Sequence, residues 1–235
     1  MTLITDNGLL ASACDRLSNE VYLSVDTEFM REKTYYPRLC LIQISGKKEA
    51  IAVDTISPGI DLEPVFKLLN DPTIIKVFHA CRQDMEIFFH LTNKTPKPVF
   101  DTQIAAMVCG YGDAISYDKL VKQIVGIDID KSSRFTDWSQ RPLSNAQLNY
   151  ALSDVTHLRK IYEQLKKQLR ENGRETWLAE ELDFVTSTNT YMIDPEKVWL
   201  RLKVRSGRPQ FLILVQAIAA FREREAQRID EPRNR

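Results

Sequence analysis

Asp26-Thr27-Glu28 directly follows the apolar run Val21 to Val25. Side chains alternate along a strand, so carboxylates at i and i+2 emerge on the same face. Two carboxylates in that position repel each other unless a cation lies between them, and hard divalent ions such as Mg²⁺ or Mn²⁺ prefer oxygen ligands of this kind. An Asp-x-Glu after a strand is also an ordinary solvated turn, so the pair needs partners before it carries chemistry. Asp84 is a first candidate, at the expected first turn of a helix after the apolar stretch Ile74 to Phe78. A carboxylate there also complements the helix N-terminus, by about 0.3–1 kcal/mol. Tyr150 and Asp154 are a second, four residues apart on a long predicted helix. They sit about 40° apart around its axis, whereas Leu148, Leu152, Val155 and Tyr162 form a stripe on nearly the opposite side.

Other chemistries find little support. Gly46-Lys47-Lys48 lacks the upstream Gly and the following Ser or Thr of a phosphate-binding loop, and no GxGxxG, GxSxG or HExxH occurs. Three histidines, His79, His90 and His157, are too few for a site built on several imidazoles. Cys14, Cys40, Cys81 and Cys109 form no CxxC pair, so reduced thiols of a cytoplasmic protein are expected rather than structural zinc.

The elements that must position these residues can be read from the apolar pattern. Val21 to Val25, Leu39 to Ile44 and Ala50 to Val53 are separated by stretches too short for a crossover helix, which predicts an antiparallel meander. Helical spacing over Leu62 to Leu69, an apolar strand over Ile74 to Phe78 and a helix over Asp84 to Leu91 follow. Strands first, then strand and helix alternating, predict a mixed sheet with helices on its faces. Helices are expected near 103–109, 117–125 and 144–170, with a loop from Asp128 to Pro142. Ser144 and Gln147 form a capping box at the start of the long helix, and Gly173 fits its end.

The chain has 235 residues, 43% hydrophobic and 27% charged, which excludes disorder and leaves room for one full domain and an appendage. Its 32 basic and 32 acidic residues cancel, so binding of nucleic acid by bulk charge is not expected. The charge is nevertheless polarised, with ten basic and five acidic side chains between 195 and 235. The longest apolar stretch, Phe211 to Phe221, is too short to span a bilayer, and no export signal is recognised, so neither a membrane partner nor secretion is expected.

Asp26-Thr27-Glu28, Asp84 and Tyr150-Ala151-Leu152-Ser153-Asp154 occur in the order of the exonuclease motifs of the DEDD superfamily, and the chain resembles its Tyr-containing branch. Phe29, Thr34-Tyr35-Tyr36-Pro37, His79, Asp101-Thr102-Gln103 and Asp137-Trp138 with Arg141-Pro142-Leu143 extend the likeness to the bacterial ribonuclease D family, over most of residues 1 to about 190. The resemblance implies an α/β, RNase H-like fold, with an antiparallel meander plus parallel strands flanked by helices. It also implies a metal-dependent 3′-5′ exoribonuclease that releases 5′-monophosphates, with precursor tRNA and other RNA bearing a single-stranded 3′ end as substrate. A 3′-5′ DNA exonuclease is the first alternative, and a silent RNA-binding scaffold on the same fold is the second. By resemblance, Asp26, Glu28, Asp84 and Asp154 hold two Mg²⁺ or Mn²⁺ ions and Tyr150 orients the attacking water.

Substrate contacts are expected of Thr27 and Phe29 beside the acidic pair, of His79, and of Lys131, Arg134 and Arg141 in the loop before the long helix. Each has a plainer role open to it: core packing for Phe29, a structural hydrogen bond for His79 and surface charge for the cations. Residues 1–192 are expected to form the exonuclease domain. Residues 193–235 are expected to supply only the first helix of an HRDC-like region, whose face Phe211, Leu212, Val215, Ile218 and Ala219 needs a cover from the exonuclease body, a second copy or further chain.

Overall fold

A computed structural model gives the fold of residues 2–234. β2 (Tyr22–Met30), β3 (Arg38–Ser45) and β4 (Ala50–Asp54) make the expected antiparallel meander. Three parallel strands extend it: β1 (Thr2–Ile4) beside β4, β5 (Ile75–Phe78) beside β2, and β6 (Val99–Asp101) beside β5. The six-stranded order is β1-β4-β3-β2-β5-β6.

Alternation along β2 and β3 assigns each face its task. Leu23, Val25, Ile42 and Ile44 turn to one side, where α1 (Asn7–Leu17), α2 (Glu63–Asn70) and α3 (Arg82–Thr92) close the largest core. The opposite face packs against α6 (Asn145–Glu171) through Leu41, Ala52 and Val77 on the sheet and Leu152, Leu158 and Tyr162 on the helix. Outside α6 lie α4 (Thr102–Val108) and α5 (Tyr117–Val125), which bury Ala105, Leu120 and Val121 against Ile161 and Leu165. The capping box places the start of α6: Ser144 accepts from Gln147 N, and the Gln147 side chain accepts from Ser144 N. Gly173, at φ +64°, follows its end, a backbone region that L side chains adopt only with strain.

Two expectations change. β2 does not stop at Val25 but runs to Met30, so Asp26 and Glu28 lie within a paired strand, opposite Gln43 and Leu41. Pairing with β3 carries the strand past the point where its apolar run ends. β1, α1 and β6 were not anticipated. The strands are three residues each, too short to show alternation, but α1 carries a legible signal in Leu10, Ala13, Cys14 and Leu17, capped by Asp6.

Beyond α6 the chain forms α7 (Ala179–Thr186), a 3₁₀ segment at Pro195–Arg201 and α8 (Pro209–Ile229). α8 packs on the 3₁₀ segment, and its end is tied to the loop after β2. The fully buried Glu223 accepts from the Tyr35 hydroxyl and from Arg233 Nε and Nη2, the latter two at 2.7 Å. Asp230 accepts from the backbone of Tyr35 and Tyr36. The expected apolar face is therefore divided: Ala219 is buried, while Phe211 and Ile218 remain exposed.

Candidate active site

β2 and α6 bring three carboxylates together. Asp26 and Glu28 share the face of β2 that looks toward α6, and Asp154 is buried on that helix. One oxygen of each lies within 4.8 Å of the other two. A bulge between Glu28 and Phe29 shifts the register with β3 immediately after the second carboxylate, and pairing resumes at Phe29 opposite Leu39. Asp84, buried in the first turn of α3, accepts from Thr27 Oγ1 at 2.5 Å. Thr27 alternates to the face opposite Asp26 and Glu28, so the strand holds Asp84 with one side chain and presents its own carboxylates with the next. All four acids line one cleft of about 990 Å³.

Burial sets the electrostatics of this group. It pushes Asp26 up to about 6 and Glu28 up to about 10, with repulsion from Asp26, Asp154 and Asp84 adding to the shift of Glu28. Asp84 and Asp154 are raised well above the carboxylate range by burial first and by Asp26 second. Asp154 Oδ1 is buried without a hydrogen-bond partner. Crowded carboxylates with an orphaned oxygen suit hard divalent cations, which remove both the repulsion and the unmet bonding capacity. These ions need ionised ligands, so protons compete with them. Asp26 holds its proton below about pH 6 and releases it above. The rise in Tm produced by Mn²⁺ or Mg²⁺ over EDTA should therefore be small at pH 5 and grow steadily to pH 8. A thermal-melt series at fixed ion concentration checks this, and an ion effect independent of pH would contradict it.

Tyr150 lies on the same helix one turn before Asp154, half-buried, with its ring 6.2 Å from that of Trp138. Burial and the nearby Asp154, Glu28 and Asp26 push its phenol well above the ordinary value, so its hydroxyl stays a proton donor. Its nearness favours the ionised form of Asp154.

The turn between β5 and α3 is held by Asp101. Its carboxylate accepts from Ala80 N, Cys81 N and Gln103 N, and thereby fixes Ala80 at φ +57°. That turn sets both His79 and the first turn of α3. His79 Nδ1 meets Thr102 Oγ1 at 3.0 Å, and because that hydroxyl donates to Phe78 O, the ring nitrogen must be the donor. Burial lowers the His79 pKa, so the ring is neutral at pH 7, with Nε2 buried and unpartnered.

The remaining sequence candidates divide. Lys131 and Arg134 line the cleft, Lys131 within 2.6 Å of Asp118. Phe29 lines it too but packs against the main core. Arg141, expected to contact phosphate, is absent from the residues that line the cleft. Its guanidinium forks onto Asp54 with two 2.7 Å bonds and gives its other N–H groups to the carbonyls of Cys40, Trp138 and Gln140. Arg141 instead fastens the loop before α6 to the end of β4. The sequence reading missed Asp101 as an N-cap, although an Asp before a helical run signals one, and Tyr117, whose hydroxyl donates to the Asp154 carbonyl. It also missed Arg31, Lys33 and Arg38, which line the cleft from the loop after β2 and the start of β3.

Residues 1–170 match the family model described as 3′-5′ exonuclease. The chain belongs to the 3′-5′ exonuclease family. All four acids and Tyr150 of this exonuclease-family chain fall inside the matched segment. It is 51% identical over 234 residues to a protein of Granulibacter bethesdensis named Ribonuclease D, covering all of this chain and 59% of that protein. The crystal structure of Escherichia coli RNase D, described as an exoribonuclease involved in structured RNA processing, matches with a TM-score of 0.90 and 31% identity, over 99% of this chain and 62% of that one. Brucella melitensis NrnC, solved with bound Mg²⁺, matches with a TM-score of 0.67 and 26% identity over 81% of this chain and 92% of that one, and it has also been solved bound to pGG. The chain spans about three-fifths of the length of the curated relatives it matches. No helix among the described residues is long and apolar enough to cross a membrane.

Proposed function

We propose that this chain is the catalytic part of a metal-dependent 3′-5′ exoribonuclease of the ribonuclease D type, acting in the cytoplasm on RNA with a single-stranded 3′ end, precursor tRNA included. The convergence of the Asp26, Glu28 and Asp154 oxygens within 4.8 Å carries this reading. Residues 1–192 would form the exonuclease domain and residues 193–235 an HRDC-like helical extension. The E. coli relative's part in structured RNA processing and the pGG bound to NrnC support the substrate class.

When bound, two Mg²⁺ or Mn²⁺ ions supply an activated water and neutralise charge on the phosphate and the leaving oxygen. Asp26, Glu28 and Asp154 would hold one ion, with Asp26 and Asp84 serving the second. The Thr27 hydroxyl keeps Asp84 in place. Tyr150 donates its hydroxyl hydrogen bond to orient the water, because its raised pKa makes it a poor base. Lys33, Arg38 and Arg134 on the cleft wall neutralise backbone phosphates, which makes binding weaken with salt.

The test is a 5′-labelled single-stranded RNA and the matching DNA, each incubated with Mn²⁺ or with EDTA. RNA should shorten stepwise from its 3′ end with Mn²⁺ alone. Equal digestion of both polymers would favour the DNA exonuclease, and intact RNA throughout would leave a binding scaffold. Tyr150→Phe should lower kcat by about 10²-fold, as loss of one oriented hydrogen bond to the reacting group does. Ion binding, read by the ion-induced rise in Tm, should persist, weakened only by the loss of the support Tyr150 gives to ionised Asp154.

A further inference from the structure

Phe135 is 90% exposed, and it stands on the rim of the acidic cleft in the loop between α5 and α6. The other aromatic residues lining the cleft are committed elsewhere. Trp138 is buried, Phe29 packs on the main core, Tyr117 is tied to Asp154, and Tyr150 packs beside Trp138. Phe135 alone among them offers an open π-face. The Arg134 guanidinium lies 5.2 Å from its ring centroid and lines the same cleft. The Arg134 charge also favours the ionised forms of Glu28 and Asp154, which line that cleft as well. A free aromatic face with a cation beside it is the pairing that holds single-stranded nucleic acid, the ring taking a base and the cation a phosphate.

We propose that Phe135 is the base-stacking platform of the cleft, receiving the base of one nucleotide near the RNA 3′ end while Arg134 holds the adjoining phosphate. This rests on the nuclease reading above and assigns its substrate grip. Every base has a π-face, so the platform accepts all four nucleobases and contributes to affinity rather than to base choice.

The experiment compares parent, Phe135→Ala and Phe135→Trp on a 5′-labelled single-stranded RNA with Mn²⁺, measuring KM and kcat separately. A companion set of substrates carries one abasic nucleotide at successive positions from the 3′ end. Loss of one base–aromatic stack should raise the KM of Phe135→Ala about 5- to 150-fold. Its kcat should stay within about twofold, because the ring does not touch the reacting phosphate. Phe135→Trp should restore the parent KM, and its added indole fluorescence should be quenched by the RNA. At one abasic position the parent should show the raised KM of Phe135→Ala, and the substitution should have no further effect there. Because the ring is exposed, Phe135→Ala should melt with the parent. An unchanged KM overturns the inference, as does a KM raised equally on intact and on every abasic RNA. A parent that neither binds nor shortens RNA overturns the nuclease reading, and this inference with it.

Discussion

Asp26→Asn should reduce RNA hydrolysis by at least about 10²–10³-fold, the loss that follows removal of a single preorganised charge-stabilising group. The substitution keeps the side chain's shape and removes its charge. Asp26 is also the acid whose charge acts on Glu28, Asp84 and Asp154, so its neutralisation relaxes all three. In EDTA the variant should therefore melt at or above the parent, while the ion-induced rise in Tm shrinks. That combination separates a ligand from a structural carboxylate, because loss of a structural group lowers Tm together with activity. Single-turnover digestion with Mn²⁺, paired with melts in EDTA and in Mn²⁺, reads both halves. Retained hydrolysis in Asp26→Asn would exclude the assigned ligand set.

The second large effect is on stability. Arg141→Met should destabilise the protein by about 3 kcal/mol, the lower end of the cost of leaving one partner of a buried ion pair alone. The lower end applies because the Arg141 side chain is 25% exposed while that of Asp54 is 5% exposed. Adding Asp54→Asn should recover part of the loss, since the stranded charge is then gone. The variant also distinguishes the two roles for Arg141. A phosphate contact would lower the salt dependence of RNA binding by about one counterion, whereas a structural anchor leaves that slope unchanged. The geometry requires the unchanged slope, since every N–H of the guanidinium is bound within the protein. Urea unfolding and a salt titration of binding check the two statements.

Arg141 also shows where reading by residue type reaches its limit. A cation in a polar loop beside acidic motifs looks the same in sequence whether it faces a phosphate or a buried carboxylate. Its partner, Asp54, is 87 residues away, at the end of another strand. The acids behave differently. Each lies in a recognisable local setting, a strand alternation for Asp26 and Glu28, a first helical turn for Asp84 and a one-turn spacing for Tyr150 and Asp154. Their order along the chain therefore carried most of the site.

Local pattern was enough for the meander and for the helix that begins at the Ser144 capping box, because alternation, helical period and capping act over a few neighbouring residues, whereas the five residues of the acidic centre stood out only as an ordered set, through the family resemblance. Long-range pairing decided the rest. Contact with β3 extended β2 through Asp26 and Glu28, and Asp54 turned Arg141 away from the cleft. The core claimed one side of Phe29 and left Phe135 in water, because which aromatic a core can accommodate depends on how separate elements meet.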